Sequence, residues 1–386
     1  MTAELADTLD LPERHRLIRD TAREVARKEI APIAAALDAE SRYPEALYTH
    51  LAALGLFGIT VPEELGGTGA DALAYAVVME EISRGYASVA DQIGLVELVS
   101  TLLARHGTPA QQDRYLRPLL RAERRCAYAL TEPEAGSDLA GLKTTARRDG
   151  SSWRLTGEKI WIHNAPIADF AVVLARTDPA AGHRGMSIFL VDADAPGFER
   201  GHVEHKMGQR ASPLGALAFQ DIALSADALL GPEGRGFHMM MSVLEKGRIG
   251  IAALAVGILE AALQASIAQA RMRRQFGQPI GGFQAVQWMI ADMAKDAHAA
   301  RLMVREAANA LDRGGPATVQ ASMAKCFASD AAVLHTANAV QIHGGSGYVQ
   351  GAEVERLYRD AKITQVYEGT NQIQRMIMAR HLLGRL

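Results

Sequence analysis

The chain has 386 residues, of which 48% are hydrophobic and 22% are charged, and its formal net charge is -3. This apolar content is sufficient for buried cores, and the length exceeds that of a typical single domain, so we expect a globular protein of two or three domains. The balance of charge offers no excess of positive groups for a phosphate backbone and argues against nucleic acid as a partner, although the run RMRR at residues 271–274 leaves a local basic patch open.

Targeting signals and cysteine chemistry are not indicated. The start, MTAELADTLDLPERHR, has neither an apolar signal core nor an Arg-rich, acid-free targeting pattern. We expect no apolar run near the roughly 20 residues that span a bilayer, hence no membrane partner and a cytoplasmic location. Cys126 and Cys326 are far apart and lack metal-ligand spacing, so we expect two buried thiols, with no disulfide framework and no metal site.

The first third of the chain has the apolar spacing of amphipathic helices. Examples are HRLIRDTAREVARKEIAPIAAAL and ALAYAVVMEEISR, with breaks at Pro44, Pro62, Gly66 and Gly67. We predict an N-terminal α-helical domain over residues 1–125.

The middle of the chain is richer in glycine and in short β-prone runs. Separated by turn-rich pieces such as TDPAAGHRG, these runs are WRLTGEKIWIHN, DFAVVLART, MSIFLVDAD and ALAFQDIAL. We predict an antiparallel β domain over residues 126–230.

Long amphipathic helices return after this region. The first two, FHMMMSVLEKGRIGIAALAVGILEAALQASIAQARMRR and GGFQAVQWMIADMAKDAHAARLMVREAANALDR, precede the break Gly314-Gly315-Pro316, and two further helices are expected before the end of the chain. We predict an antiparallel four-helix bundle over residues 231–386 and an α+β protein as a whole.

Three local motifs follow one another along the chain: YALTEPEAGSDLAGLKTTA, EKIWIHNAP and QIHGGSGYVQGAEVERLYRDAKITQVYEGTNQIQR. Together they resemble the acyl-CoA dehydrogenase family, in its short- and medium-chain branch, and the resemblance covers essentially the whole chain. It implies FAD as cofactor and removal of hydrogens from Cα and Cβ of an acyl-CoA thioester, giving a trans-2-enoyl-CoA. It also implies electron-transferring flavoprotein as electron acceptor and a homotetramer arranged as a dimer of dimers.

The motif VYEGTNQIQR places one carboxylate, Glu368, between an aromatic ring and a glycine. Its plain interpretation is a helix start, at which Thr370 or Asn371 caps the helix and Glu368 favours its positive end. The resemblance implies instead that Glu368 is the base that takes the α-proton and that its backbone N–H donates to the thioester carbonyl. Tyr367 would then desolvate the carboxylate and raise its pKa, while Gly369 would let the substrate approach.

Other branches of the family carry the base on the helix that begins SVLEKGRIG. At the matching position this chain has Gly247, which cannot abstract a proton, so the arrangement with Glu368 is the one available. Three neighbours match positions that contact the CoA moiety, and the alternative is that they form ordinary charge pairs on a helix surface. They are Glu245, Lys246 and Arg248.

The β domain carries the residues that match flavin contacts. In the first motif these are Tyr128, Leu130, Thr131, Gly136 and Ser137, the last of which also matches a substrate contact. Trp161 matches a tryptophan beside the flavin, and His163 stands where most relatives carry a Thr or Ser that hydrogen-bonds flavin N5. The alternatives are a simple turn at TEPEAGSD, a tryptophan buried in the β domain, and a displaced or purely structural histidine.

The remaining FAD contacts would come partly from a second subunit, which implies an oligomer. Residues that match contacts to a neighbour's FAD are Arg273, Gln275, Phe276 and Gln284; residues that match an approach to its pyrophosphate are Gln341, Gly344 and Gly345. Thr370 and Gln372 match residues near the FAD phosphate or adenosine, at a helix N-terminus that suits an anion. The glycines alone would equally indicate close helix packing.

Two other functions stay open. One is an acyl-CoA oxidase of the same fold, in which oxygen re-oxidises the flavin; the other is a non-catalytic flavin- or nucleic-acid-binding relative, which should lack the base or carry a basic face. Ala87 stands where glutaryl-CoA dehydrogenases carry an arginine, which disfavours glutaryl-CoA. Ala90 and Gly94 on the expected pocket helix permit some chain length or branching, and Asp91 faces either the pocket or solvent, so chain length is not predicted.

Overall fold

The computed structural model describes residues 11–384. The expectation of no targeting signal rests on the start of the sequence, and residues 1–10 of that start lie outside the described range. Helices come first, a sheet follows, and helices return, in the order that the sequence predicts. The predicted α+β architecture is confirmed.

The N-terminal helices form where the apolar spacing predicts them. They are α1 Glu13–Val25, α2 Ala31–Glu40, α3 Glu45–Ala53, α4 Ala72–Gly85, α5 Ala87–His106, α6 Pro109–Gln111 and α7 Arg117–Leu120. Pro44 directly precedes α3, and Pro62 precedes a 3₁₀ turn at Glu63–Leu65. Helices α4 and α5 are buried over most of their length and pack on the long helix α8 described below.

The middle region forms one eight-stranded sheet. Its strands are β1 Cys126–Ala129, β2 Thr145–Asp149, β3 Ser152–His163, β4 Phe170–Arg176, β5 Met186–Asp192, β6 Phe198–Val203, β7 Leu214–Leu224 and β8 Leu229–Leu230. The order is β6-β7-β3-β2-β4-β5-β8, with β1 paired to β4. The four predicted runs are β3, β4, β5 and β7.

The prediction of a purely antiparallel sheet is wrong in one respect. Strands β1 and β2 both pair with β4 in parallel, whereas the other pairs in this sheet are antiparallel. No hairpin joins β1 or β2 to β4, because β3 intervenes in the chain, and a longer connection permits parallel pairing. A separate hairpin of β9 Arg274–Gln275 and β10 Gln278–Pro279 projects after the sheet.

The C-terminal region is again helical. Its helices are α8 Gly236–Met272, α9 Gln284–Asp312, α10 Thr318–His343, α11 Glu353–Ile363 and α12 Asn371–Leu383. Three helices rather than the expected two follow Pro316. Gly344 has a positive φ angle at the end of α10, and Gly351 has one just before α11. Two more positive φ angles, at Glu368 and Gly369, lie between α11 and α12.

Two helices have the length and the apolar composition that a membrane span requires. The expectation that no apolar run approaches 20 residues is therefore corrected. The two helices are α5 and α8, with mean hydropathy 1.4 and 1.9 in their most apolar windows. In those windows 89% and 78% of the residues are buried inside the protein. Helices at the centre of a protein core have the same apolar character, so the feature is weak evidence for a membrane span.

A buried ionic cluster joins α4, α8 and α9. Arg301 is 1% exposed, and its Nε donates to Glu80 Oε1 at 2.7 Å while its Nη2 donates to Glu260 Oε2 at 2.9 Å.

Both cysteines are buried, as predicted. Within residues 11–384 no three His, Cys, Asp or Glu side chains are grouped to hold a metal.

Candidate active site

Glu368 lies on the turn between α11 and α12. Its φ angle is +54° and that of Gly369 is +84°, so two successive residues adopt left-handed backbone. Glycine does so freely, but for Glu368 the conformation costs about 1 kcal/mol. Backbone strain of this kind is concentrated at functional sites, where the surrounding structure holds it in place.

The Glu368 carboxylate occupies space that a side chain on α8 would otherwise fill. Its Oε2 is buried and has no hydrogen-bond partner among the described residues. A Cβ atom on Gly247 would lie 2.6 Å from Oε2 and 3.2 Å from Leu98 Cδ2 on α5. A side chain at position 247 would therefore compete with the Glu368 carboxylate for one space, which the glycine leaves to Glu368.

Burial raises the pKa of Glu368 to about 7. The cations Arg248 and Lys325 oppose this rise, and the negative charge of Asp91 adds to it. A carboxylate with a pKa near neutrality is well matched to accept a proton in a reaction at neutral pH. The upward shift that the sequence predicted for a desolvated Glu368 is therefore present.

We expect Gly247→Ala to slow the reaction of Glu368 without unfolding the protein. The added methyl group would displace the flexible end of Glu368 rather than any backbone, and alanine is a better helix former than glycine by about 1 kcal/mol. A catalytic group displaced by about 1 Å loses on the order of 10–100-fold in rate. The rate of flavin bleaching by an acyl-CoA, measured beside the melting temperature, checks this.

The matched control is Gly315→Ala, because a Cβ atom there would meet only Ala310 O at 3.9 Å. This control should change neither quantity. A Gly247→Ala variant that bleaches at the wild-type rate would show that the position of the carboxylate is not constrained by α8.

The three charged residues around Gly247 point in different directions. Arg248 is 8% exposed, and its charge opposes the rise in the pKa of Glu368. The Glu245 carboxylate accepts a hydrogen bond from the Thr318 hydroxyl. Within residues 11–384 neither side chain forms an ion pair of the kind that the alternative interpretation requires.

Lys246 does not lie where the resemblance implies. It is 6% exposed, and its Nζ donates to Glu97 Oε1 at 3.2 Å, to Thr101 Oγ1 at 3.0 Å and to Thr60 Oγ1. Successive residues of a helix are rotated by about 100°, so residues 246 and 248 lie on nearly opposite sides of α8. Lys246 therefore faces α5, on the side away from Arg248. These buried bonds favour a structural role for Lys246 over the predicted contact with CoA.

The TEPEAGSD segment is fastened to β3 through a buried lysine. Lys159 Nζ donates to Leu130 O at 2.9 Å and to Glu132 Oε1 at 2.8 Å, and Thr131 O accepts from the N–H of Ile160 at 3.0 Å. The hydroxyl of Tyr128, in β1, is buried without a partner among the described residues. Further along the segment, Gly136 and Ser137 are exposed.

Trp161 is 57% exposed, so it is not the buried tryptophan of the alternative interpretation. The pairing of β3 with β7 shifts register between Lys159 and Ile162, and the φ angle of Trp161 is +55°. Such a bulge re-aims the side chain at its centre. The indole is left free on the protein surface to cover another molecule.

The structure settles the orientation of Asp91. Its Oδ2 lies 3.2 Å from His163 Nδ1, and the two side chains are 12% and 16% exposed. Burial lowers the pKa of His163 more than the Asp91 carboxylate raises it. His163 Nε2 has no partner among the described residues. His163 is thus a neutral, inward-facing side chain at the end of β3.

A separate group of predicted FAD contacts lies on the protein surface. Its members are Arg273, Gln275, Phe276, Gln284, Gln341, Gly344 and Gly345, all exposed. Phe276, in the β9–β10 hairpin, is 92% exposed. Thr370 caps α12 by accepting from the N–H of Ile373 at 3.3 Å, as the plain interpretation predicts, and Gln372 is exposed.

Sequence reasoning missed two residues beneath the turn, Lys325 and Gln374. Both are fully buried and donate hydrogen bonds to turn carbonyls. A signal for Lys325 exists in the sequence, since it is a single charge in the otherwise apolar run MAKCFA. Buried lysines are rare unless they are paired.

The chain matches family models along most of its length. They are described as acyl-CoA dehydrogenase N-terminal domain over residues 12–123, middle domain over residues 127–222 and C-terminal domain over residues 234–383. Among curated proteins, it is 45% identical to the short-chain specific mitochondrial acyl-CoA dehydrogenase of Bos taurus, over 97% of this chain and 92% of that protein.

Two solved structures are similar over nearly the whole chain. Butyryl-CoA dehydrogenase from Megasphaera elsdenii is 39% identical, with a TM-score of 0.94 and coverage of 97% of this chain and 99% of that one. PigA, solved with FAD and proline, is 30% identical, with a TM-score of 0.94 and coverage of 97% and 98%. With three family domains matched in order and a relative at 45% identity, the chain belongs to the acyl-CoA dehydrogenase family.

Proposed function

We propose that this protein is an FAD-dependent enzyme that removes the α-proton and the β-hydrogen of an acyl-CoA thioester, giving a trans-2-enoyl-CoA, and that electron-transferring flavoprotein accepts the electrons. The observation that carries the proposal is the Glu368 carboxylate in the space left by Gly247, with a pKa of about 7 and a buried Oε2 that has no hydrogen-bond partner among the described residues. A buried carboxylate with a pKa raised toward neutrality is suited to act as a general base.

The residues present fit a flavin. The unpartnered Tyr128 hydroxyl supports a bound polar group, and the exposed Trp161 indole offers an apolar face for an aromatic ring system. We assign the isoalloxazine to these two side chains, Leu130, Thr131 and His163, with Gly136 and Ser137 at its edge. FAD, when bound, supplies the acceptor for the β-hydride.

We assign the remaining roles to side chains and backbone groups of the chain. Glu368 takes the α-proton, and its backbone N–H, which bonds to no other residue within 11–384, donates to the thioester carbonyl and stabilises the developing enolate. Arg248 and Glu245 lie along α8 for contact with the CoA moiety, while Tyr367 and Gly369 flank the reacting carbons. Tyr367 is itself held by Gln209, whose Nε2 donates to its hydroxyl at 3.3 Å.

We further propose that a second copy completes the FAD site in a homotetramer. The predicted contacts in the β9–β10 hairpin and at the end of α10 are exposed, as a contribution to another chain requires. Apolar side chains are also exposed on α9, α10 and α12, among them Trp288 at 63%, Leu334 at 56% and Leu382 at 73%. Burial of these side chains against another copy of the chain would be favourable.

The experiment is an anaerobic screen of the FAD-loaded protein against straight, branched and aromatic acyl-CoAs. We expect at least one of them to bleach the flavin, and short chains are the first choice. The bleached protein is then mixed with electron-transferring flavoprotein or with air. Rapid re-oxidation by the flavoprotein without hydrogen peroxide supports a dehydrogenase, peroxide release under air would identify an oxidase, and silence across the panel would contradict the proposed function.

A further inference from the structure

A buried ammonium group lies beneath the turn that carries Glu368. Lys325, on α10, is fully buried, and its Nζ donates to Gly369 O at 2.8 Å and to Asn371 Oδ1 at 3.0 Å. Gln374, on α12, is equally buried, and its Nε2 donates to Glu368 O at 3.1 Å and to Gly369 O at 2.9 Å. Both carbonyls of the left-handed turn are therefore held by side-chain donors.

These donors are needed because the turn has no regular helical or sheet bonding of its own. Without these donors the carbonyls of Glu368 and Gly369 would have no hydrogen-bond partner among the described residues, and an acceptor left unpaired away from water costs about 1–3 kcal/mol. The side chains also oppose the strain of left-handed backbone at a non-glycine residue. Lys325 and Gln374 thus fix the direction in which the Glu368 side chain leaves the backbone.

Lys325 has a second property that Gln374 lacks, which is charge. Burial lowers the pKa of Lys325 to about 8, and the nearby Glu368 carboxylate opposes that shift. Within the described part of the chain Lys325 forms no direct ion pair with a carboxylate. A buried ammonium is costly unless it meets an opposite charge or several acceptors.

We propose that Lys325 is a positioning residue for the dehydrogenation, whose ammonium group fixes the turn of residues 368–371 and stabilises the ionised form of the base. The inference rests on the proposed function, because it assigns to Lys325 an action on Glu368. It also gives a reason for a lysine rather than a neutral donor at this buried position.

The electrostatic part can be isolated because the other groups that face Glu368 are known. They are Arg248 from α8, Asp91 from α5, Tyr75 from α4, Tyr128 from β1 and Tyr367 from the turn itself. Replacing Lys325 with a neutral residue leaves Arg248 as the one remaining cation among them. Since the ionised carboxylate then loses a favourable charge, the pKa of Glu368 must rise.

The test compares Lys325→Met with Gln374→Met in the FAD-loaded protein. For each, the rate of flavin bleaching by a bleaching acyl-CoA is measured anaerobically in stopped flow as a function of pH. Because the base acts in its ionised form, the wild-type rate should rise with pH through about 7. Lys325→Met should slow bleaching on the order of 10–100-fold at neutral pH and move this midpoint upward by about one pH unit.

Gln374→Met removes two hydrogen bonds but no charge, so it should slow bleaching while leaving the midpoint in place. The surface control is Lys362→Met, which removes an exposed lysine bonded to Gln365 and should change neither rate nor midpoint. If Lys325→Met does not load FAD, Lys325→Gln keeps a donor in the same position, and its midpoint should still rise.

A wild-type midpoint in both Lys325 variants would overturn the inference. That result is distinct from failure of the proposed function, which would appear as no bleaching of the wild type by any acyl-CoA, and from failure of the base assignment, which would appear as undiminished bleaching in Glu368→Gln. A slow Glu368→Gln variant beside Lys325 variants with wild-type rate and midpoint would leave the base assignment intact and remove Lys325 from it.

Discussion

Arg301→Met should lower the free energy of unfolding by about 3–5 kcal/mol, because it leaves two carboxylates buried without their cation. Burial acts against the charge of Arg301, but Glu80 and Glu260 together outweigh it and raise the pKa of the guanidinium. Methionine fills similar space yet offers no donor to Glu80 Oε1 or Glu260 Oε2, which now lie at 2.7 and 2.9 Å from Arg301.

Thermal unfolding with the same FAD content checks this expectation. The control is Lys295→Met, which breaks an exposed ion pair with Asp292 at 2.6 Å and should cost less than about 1 kcal/mol. Adding Glu80→Gln and Glu260→Gln to Arg301→Met should restore part of the stability, because the buried charges are then gone. An Arg301→Met protein as stable as the Lys295→Met control would show that the cluster is not a buried network.

The regular elements were predictable where the sequence period is strong. Long helices such as α8 and α9 and buried strands such as β4 and β5 follow from uninterrupted apolar patterns. The short strands β1, β2 and β8 do not, because two to five residues contain too little of any period. The third helix after Pro316 was missed for a related reason, since only the turn at Glu368 and Gly369 divides the last helical stretch.

The sequence predicted which residues belong to the site, but not the directions in which their side chains point. The motif VYEGTNQIQR identifies Glu368, but whether Lys246 faces CoA or α5 depends on the rotation of α8 against its neighbours, which no local motif records. The orientation of Asp91 depends likewise on where β3 ends relative to α5. Lys325 is 43 residues from Glu368 in sequence, so only the folded chain shows that it supports the turn.

Glu368→Gln should slow flavin reduction by about 10²–10⁴-fold, which is the usual contribution of a positioned general base. The amide has nearly the size of the carboxylate, so it fits the space beside Gly247 but cannot accept the α-proton. The wild-type rate should fall as pH drops through about 7, because protonation removes the base, and the variant should lack this dependence.

Binding should survive the same substitution. The backbone N–H of Glu368 is unchanged, and the contacts that we assign to Thr131, Ser137 and Arg248 are untouched. FAD content and affinity for an enoyl-CoA should therefore stay near wild type. A secondary test adds Gly247→Glu to Glu368→Gln and asks whether part of the bleaching rate returns. It is secondary because the glutamine at 368 still fills the narrow space beside residue 247.

The most direct test of the assignment is stopped-flow bleaching of FAD after anaerobic mixing with acyl-CoA, in wild type and in Glu368→Gln with equal FAD content. We expect fast bleaching in the wild type and bleaching slower by about two orders of magnitude or more in the variant. Bleaching at the wild-type rate in Glu368→Gln, with FAD and ligand bound normally, would show that Glu368 is not the base.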